Sequence, residues 1–199
     1  GNQGWSYDDV LPYFKKAENN SFFDDNFHGQ NGPLSVSNLR NENMFSKAFI
    51  ESGKKLHQFN TDFNGNEQEG VGYYQVTQKD GKRCSAAKAY LEPIKNRDNL
   101  TIYTDMQAYR IIIKDDIAVA IELIDENQEK MIINANKEII LSAGAFGSPQ
   151  ILLRSGIGSK YELDNLGIKI NIDLPGVGKN LQDHIDFVRT FRYSSLEAI

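Results

Sequence analysis

An α+β fold is predicted: a β-meander, a strand–loop–helix unit and several short helices. Three observations predict it. Residues 100–134 hold β-rich runs separated by short polar turns, the pattern of a meander. "EIILSAGAFGSPQILLRSGIG", Glu138 to Gly158, starts as an apolar strand, breaks at small residues and resumes as a helix. Helix-start signals stand at Ser6, Asn43 and Ser85, well before the meander.

The elements follow in order. Ser6 to Asp9 reads S-x-x-D, a capping box, ahead of a helix from Tyr7 to Glu18. Pro12 either kinks that helix or starts a second turn, and Trp5, Leu11, Tyr13 and Phe14 are expected to pack it down. Ser21 to Ser37, rich in Asn, Asp, Gly and Phe, reads as loop. Its His28 is expected to be structural or solvated rather than a ligand. Asn43 caps a helix from Met44 to His57, with Phe45, Ala48, Phe49, Ser52 and Leu56 on one face. Asn64-Gly65 and Asp80-Gly81 are turn dipeptides around a β-rich piece, Gly72 to Gln78. Within it, Tyr73 and Tyr74 either line an aromatic cavity or pack as strand tyrosines with wet hydroxyls. Ser85 caps a helix through Leu91 that ends before Pro93.

Leu100 to Thr104 and Tyr109 to Lys114 are expected strands, followed by an Asp115-Asp116 turn. In Ile117 to Ile124, the residues Ile117, Val119, Ile121 and Leu123 alternate with small or polar ones, as in a half-buried strand. Asp125 to Glu129 is a polar turn, and Lys130 to Asn134 returns. Glu138 to Leu141 is apolar enough for a strand covered on both faces. The chain then turns through Ser142, Ala143 and Gly144, whose small side chains let something approach the backbone. Ser148 is the expected N-cap and Pro149 the first position of a helix, Gln150 to Arg154, closed at Ser155-Gly156. Capping accounts for the closing glycine but not for the tiny residues after the strand. In α/β sheets ligands sit beyond the carboxyl ends of strands.

Composition sets bounds. The chain has 199 residues, 40% apolar and 25% charged, enough for one domain or two small ones. A net charge of −5 gives no footing for nucleic acid. No run of about 18 apolar residues could span a bilayer, so no membrane partner is evident. The first residues, GNQGWSYDDV, show no basic stretch followed by an apolar one, so no signal peptide is expected. Cys84 is the sole cysteine, which rules out an internal disulfide and a cysteine metal cage; no metal is expected, and a reducing, cytoplasmic compartment fits.

Four segments carry a resemblance. "GAFGSPQILLRSGIG" is similar to the second signature of the glucose–methanol–choline (GMC) flavin oxidoreductases. "GWSYDDVLPYFKKAE", "GVGYYQVTQKDGKRCSAAKAYL" and "DLPGVGKNLQDH" resemble other parts of that family, in its order and over nearly the whole chain, nearest to bacterial alcohol or choline dehydrogenase-like members. The resemblance implies a fragment of a two-domain enzyme, an FAD-binding α/β part plus an antiparallel-sheet part, with FAD as cofactor. The family's opening G-x-G-x-x-G is missing: the runs from Gly156 and Gly176 lack the third glycine. His28, His57 and His184 do not match the family's catalytic histidine, so no catalytic residue is assigned. The chain is accordingly expected to be internal to a longer enzyme, inactive alone and a weak FAD binder at most.

Roles follow from the same resemblance. Residues 1–97 would form a lid and substrate-region segment, 98–172 the middle of the FAD-binding domain, and 173–199 a return into the substrate domain. Ala108 matches a position whose backbone contacts adenine, and Ser142, Ala143 and Gly144 match the strand end against the nucleotide. Tyr73 and Tyr74 are the candidate substrate-binding pair. Asn180, Asp183 and His184 are expected in loop hydrogen bonds. Choline-acting relatives carry a carboxylate in the strand after "NLQDH". Counting along reaches Arg192 here, with Glu197 only by a register shift, so the implied substrate is a neutral primary alcohol. The enzyme would oxidise it to an aldehyde by hydride transfer to FAD. The alternatives are a non-catalytic α+β binding module and an FAD-containing lyase of the same family. A homodimer through apolar surfaces normally covered by the missing parts is also expected.

Overall fold

The computed structural model describes residues 2–190 and is mixed helix and strand. These residues divide into two units, one through Thr101 and one from Ile102.

In the first unit, helix α1 spans Tyr7–Ala17. The capping box is present: the Asp9 amide donates to Ser6 Oγ at 3.3 Å, and the Ser6 amide donates to Asp9 Oδ2 at 3.1 Å. Pro12 lies inside the helix. The expected packing residues are not buried: Trp5 is 77% exposed, and Tyr13 and Phe14 are also exposed. Strand β1, Glu18–Asn20, pairs parallel with β2, Leu34–Val36, inside the stretch expected to be loop. Three-residue strands carry too few residues to show a period, which is why β2 was invisible. Helix α2 spans Met44–Gly53, shorter than expected, with the Phe45 amide donating to Asn43 Oδ1 at 2.8 Å. It stops at glycine, the weakest non-proline helix former. Its buried side chain is Ile50, while Phe49 and Leu56 of the expected face are exposed.

Strands β3, Gln78–Lys79, and β4, Lys82–Arg83, form a hairpin about Asp80-Gly81. Both turn residues have positive φ, 53° and 73°, as a two-residue hairpin with the sheet's own twist requires. Ser85 Oγ accepts the Lys88 amide at 3.2 Å, but the helix it starts is a π-turn, Ala87–Leu91, running into a 3₁₀ turn, Glu92–Ile94, through Pro93. Ile50, Cys84 and Ala89 are this unit's buried apolar residues.

The second unit is built on the meander: β5, Gln107–Lys114, β6, Ile117–Ile124, and β7, Lys130–Asn134, in the order β5-β6-β7 and antiparallel throughout. Asp115 and Asp116, both at positive φ, make the first turn. The expected alternation in β6 holds only in part. Ala120, Glu122, Leu123 and Ile124 are buried while Ile117 is exposed, because the far half of the central strand is covered on both faces. Leu100 to Thr104 and Glu138 to Leu141, read as strands, form none among the described residues. Both have β-rich side chains without a neighbouring strand to supply a ladder, and Ile140 is 78% exposed.

Helix α3 spans Gly144–Arg154, six residues earlier than expected. Ala143, not Ser148, is its N-cap; Ser148 Oγ instead accepts the Ala143 amide at 3.0 Å from inside the helix. Pro149 is therefore interior. At the other end, Gly156 has φ +74°, and a Cβ there would overlap the Lys169 carbonyl, so both backbone angle and space demand glycine. Strand β8, Ile157–Gly158, pairs parallel with β9, Ile172–Asp173, and α4, Lys160–Asn165, lies between them with Leu163 fully buried.

Candidate functional site

The bend Ser142–Ala143–Gly144 connects the unpaired apolar run to α3, and all three residues are exposed. Gly144 has φ +81°, and a Cβ built there would meet no atom within 4 Å. The bend is open, not plugged by side chains. α3 rises from it and packs on β5. The seam is pinned by Ser155, buried at the helix end: its Oγ accepts the Ile111 amide at 2.7 Å and donates to the Ile151 carbonyl at 2.6 Å. Asn171 Nδ2 donates to the Ser155 carbonyl at 2.8 Å, fastening the following loop to the same point. Arg154 lays its guanidinium 4.9 Å from the centroid of Tyr109.

Ala108 lies on β5 opposite Leu123, and the register shifts between Ala108 and Arg110. The shift leaves Tyr109 without a ladder partner, and such bulges free backbone groups beside binding sites. So Ala108 lies on β5, and Gly144 opens α3, the helix that packs on β5.

The second unit also holds Glu122, a charged residue that nothing in the sequence pattern singled out. It is 3% exposed at the centre of the sheet. Arg110 Nε on β5 donates to its Oε2 at 2.7 Å, and Lys130 Nζ on β7 lies 2.7 Å from Oε1. The Lys130 ammonium first, and the Arg110 guanidinium with it, hold Glu122 below the usual carboxylate range despite the burial that pulls it up.

In the first unit Tyr73 and Tyr74 line one cavity of about 150 Å³, with Phe22, Asn38, Leu39, Glu42, Phe59 and Thr61. Tyr74 is 69% exposed and stacks at a tilt on Phe63, centroids 4.9 Å apart. The Tyr73 hydroxyl oxygen is buried and has no hydrogen-bond partner among the described residues. That departs from the wet hydroxyl of an ordinary strand tyrosine.

His28 is structural, one of the two states expected of it, but it is not solvated: it is 5% exposed. Nδ1 lies 3.2 Å from both Glu18 carboxylate oxygens and Nε2 lies 3.0 Å from Asp62 Oδ2. Phe23 stacks on the ring at 5.0 Å. Burial depresses the imidazole, yet hydrogen bonds and charge from Asp62 and Glu18 outweigh it and leave the pKa raised. Asp25, His28 and Asp62 bring ligand-type atoms within 4.8 Å of one another. Both ring nitrogens already face carboxylates, so the geometry is that of an imidazolium bridge. These partners come from residues 10 and 34 positions away, beyond any local pattern.

Near the end of the described residues, Asn180 adopts φ +54° and the His184 amide donates to Asp183 Oδ1 at 2.8 Å. Residues 181–190 form no ladder among the described residues. Arg192 and Glu197 lie outside them. A carboxylate does follow "NLQDH" closely, however: Asp186, exposed, two residues after His184. No described helix is long and apolar enough to cross a membrane.

Comparison with known proteins bears on the family and the fold. A family model described as GMC oxidoreductase matches residues 1–186. The chain is 44% identical over 189 residues to an alcohol dehydrogenase [acceptor] of Pseudomonas putida, covering 94% of the chain and 34% of that protein. It is 43% identical over 188 residues to an oxygen-dependent choline dehydrogenase of Rhizobium johnstonii, with the same coverage. Among solved structures it resembles pyridoxine 4-oxidase from Mesorbium loti, with TM-score 0.80 and 34% identity over 88% of the chain and 35% of the other. An FAD-dependent oxidoreductase from Chaetomium thermophilum superposes with TM-score 0.83 at 26% identity over 88% of the chain and 33% of the other. The chain spans about a third of the length of the curated relatives it matches.

Proposed function

The chain belongs to the GMC oxidoreductase family, and from that premise we propose that it forms the middle portion of an FAD-dependent enzyme oxidising a primary alcohol to an aldehyde. The observation that carries the reading is the open bend: a left-handed Gly144 with nothing above it and an 11-residue helix behind. A bulky flat group can approach that backbone, which is what a nucleotide cofactor needs. FAD is the cofactor; Ser142, Ala143 and Gly144 would face it, and the bulged backbone at Ala108 would meet its adenine.

When bound, FAD supplies the hydride acceptor, while the protein's part is orientation, exclusion of water and proton transfer. Within the chain, the Ser155 pin keeps the bend registered on β5, and Glu122 with its two cations stiffens the sheet beneath. His28 is not the base, since both its ring nitrogens are committed to carboxylates. Residues 1–97 act as lid and substrate region, with Tyr73 and Tyr74 on the substrate side; residues 98–172 carry the cofactor, and 173–199 lead back to the substrate part. The setting is cytoplasmic.

The preferred substrate is uncharged. A second reading, a quaternary ammonium alcohol, is favoured by Asp186, whose carboxylate follows "NLQDH" more closely than Arg192 does. The test uses the full-length flavoenzyme containing this chain, mixed anaerobically with 1-butanol or choline. Bleaching of the oxidised flavin by butanol, and slower or no bleaching by choline, is expected. Faster bleaching by choline transfers the assignment to the second reading, and no bleaching by any alcohol overturns both. Ala143→Leu, at a φ of −88° that any side chain can adopt, adds bulk to the bend and should lower the FAD content of purified enzyme while far-UV circular dichroism is unchanged.

A further inference from the structure

Asparagine followed by glycine is open to attack by the chain on itself, because glycine has no side chain to shield its amide nitrogen. The sequence holds two such pairs, Asn31-Gly32 and Asn64-Gly65. Both asparagines are exposed, so access to solvent does not separate them. Hydrogen bonding does. The Gly32 amide donates to the Glu18 carbonyl at 2.8 Å, which commits the nitrogen that would attack. Reaction there must wait for a local opening. The Gly65 amide and the Asn64 side-chain amide have no hydrogen-bond partner among the described residues. The Asn64 backbone amide donates to Asp62 Oδ1 at 3.0 Å, which holds the turn in place around the free pair.

The same turn supports the His28 bridge. A Cβ built on Gly65 would stand 2.2 Å from Asp62 Oδ2, the atom that lies 3.0 Å from His28 Nε2. Asp62 therefore needs glycine at position 65, and that glycine is what leaves Asn64 labile. Asn64 and Gly65 also line a cavity of about 710 Å³ together with Glu18 and His28, so water reaches the pair from that side. We propose that Asn64 is a self-modification site, deamidating through a succinimide whose isoaspartyl product loosens the His28 bridge.

In the first step the Gly65 nitrogen attacks Asn64 Cγ and a C–N bond forms. The amide proton passes to solvent, and the Cγ–Nδ2 bond breaks to release ammonia. Water then opens the ring at either carbonyl, leaving aspartate or isoaspartate; nothing is oxidised or reduced. Isoaspartate carries an extra methylene in the backbone between residues 64 and 65. The longer turn shifts Gly65 against Asp62 and so disturbs the carboxylate that faces His28.

The experiment ages the full-length flavoenzyme containing this chain in oxygen-18-labelled water at mildly alkaline pH. Digests are then sequenced by mass spectrometry. Heavy oxygen should enter at Asn64 about tenfold faster than at Asn31, the margin set by a hydrogen bond that must break first. Asn64→Gln, whose attack would need a larger ring, should take up no label at that position and, when fresh, melt with the parent. After ageing, the parent should melt lower than when fresh, and Asn64→Gln should lose less. An unlabelled Asn64, label at Asn31 as fast as at Asn64, or equal losses of melting temperature in parent and variant would each overturn the proposal. Flavin bleaching tests the oxidoreductase reading separately, and neither result decides the other.

Discussion

At the scale of single residues, His28 shows how a group can be protonated by its surroundings rather than by solvent. Glu18 and Asp62 face its two nitrogens and Asp25 lies alongside. A raised folded pKa means that the native state holds the proton more tightly than the unfolded chain does. The resulting stability is complete below the ordinary imidazole value of about 6.5 and fades as pH rises through the folded value. Melting temperature should therefore fall between pH 6 and pH 9, and His28→Gln should flatten that slope while costing about 1–3 kcal/mol at pH 6. A slope unchanged by the substitution would show that the bridge is not the sensor. Glu122 has the opposite sign: its depressed pKa makes a contribution that is present above the ordinary carboxylate range and lost in acid.

Elements divide by how local their causes are. The capping box at Ser6, the cap at Asn43, and the turns at Asp80-Gly81 and Asp115-Asp116 were legible, because each is settled by near neighbours in sequence. All three meander strands were legible by composition and turn spacing. Leu100–Thr104 and Glu138–Leu141 were not, since a strand exists only with a ladder partner and no run of residues announces its own. The start of α3 was misplaced because Ser148-Pro149 looks like a helix entrance, whereas the Ser148 hydroxyl reaches back to the Ala143 amide instead. At the candidate site, the small residues of the bend were readable, but Ser155 and Glu122 were not: their partners stand 44 and 12 positions away. Ser155→Ala would leave the buried Ile111 amide without its acceptor. It should destabilise the second unit by about 1–3 kcal/mol and, in the full-length enzyme, lower FAD retention. Thermal melts together with the ratio of flavin to protein absorbance check both; an unaffected melt would mean that the pin is dispensable.

For the molecule as a whole, the notable quantity is apolar surface left facing water. Trp5, Tyr13 and Phe14 on or beside α1, Ile140 and Phe146 around the bend, and Phe187 and Val188 in the final extended stretch are all exposed. Large exposed apolar areas mark surfaces that other protein normally covers. With the chain spanning about a third of its relatives' length, the 199-residue chain alone should bind a hydrophobic dye and scatter light with a mass above one chain. A monomeric mass with no dye binding would contradict this.

Glu122 touches a cation from the strand on either side of it. Because side chains alternate across a strand, sliding β5 or β7 by one residue would swing Arg110 or Lys130 to the opposite face and leave the buried carboxylate with one cation in place of two. The meander thus carries its own proofreading: misaligned sheets reject themselves electrostatically, and only the correctly threaded one survives to present the bend.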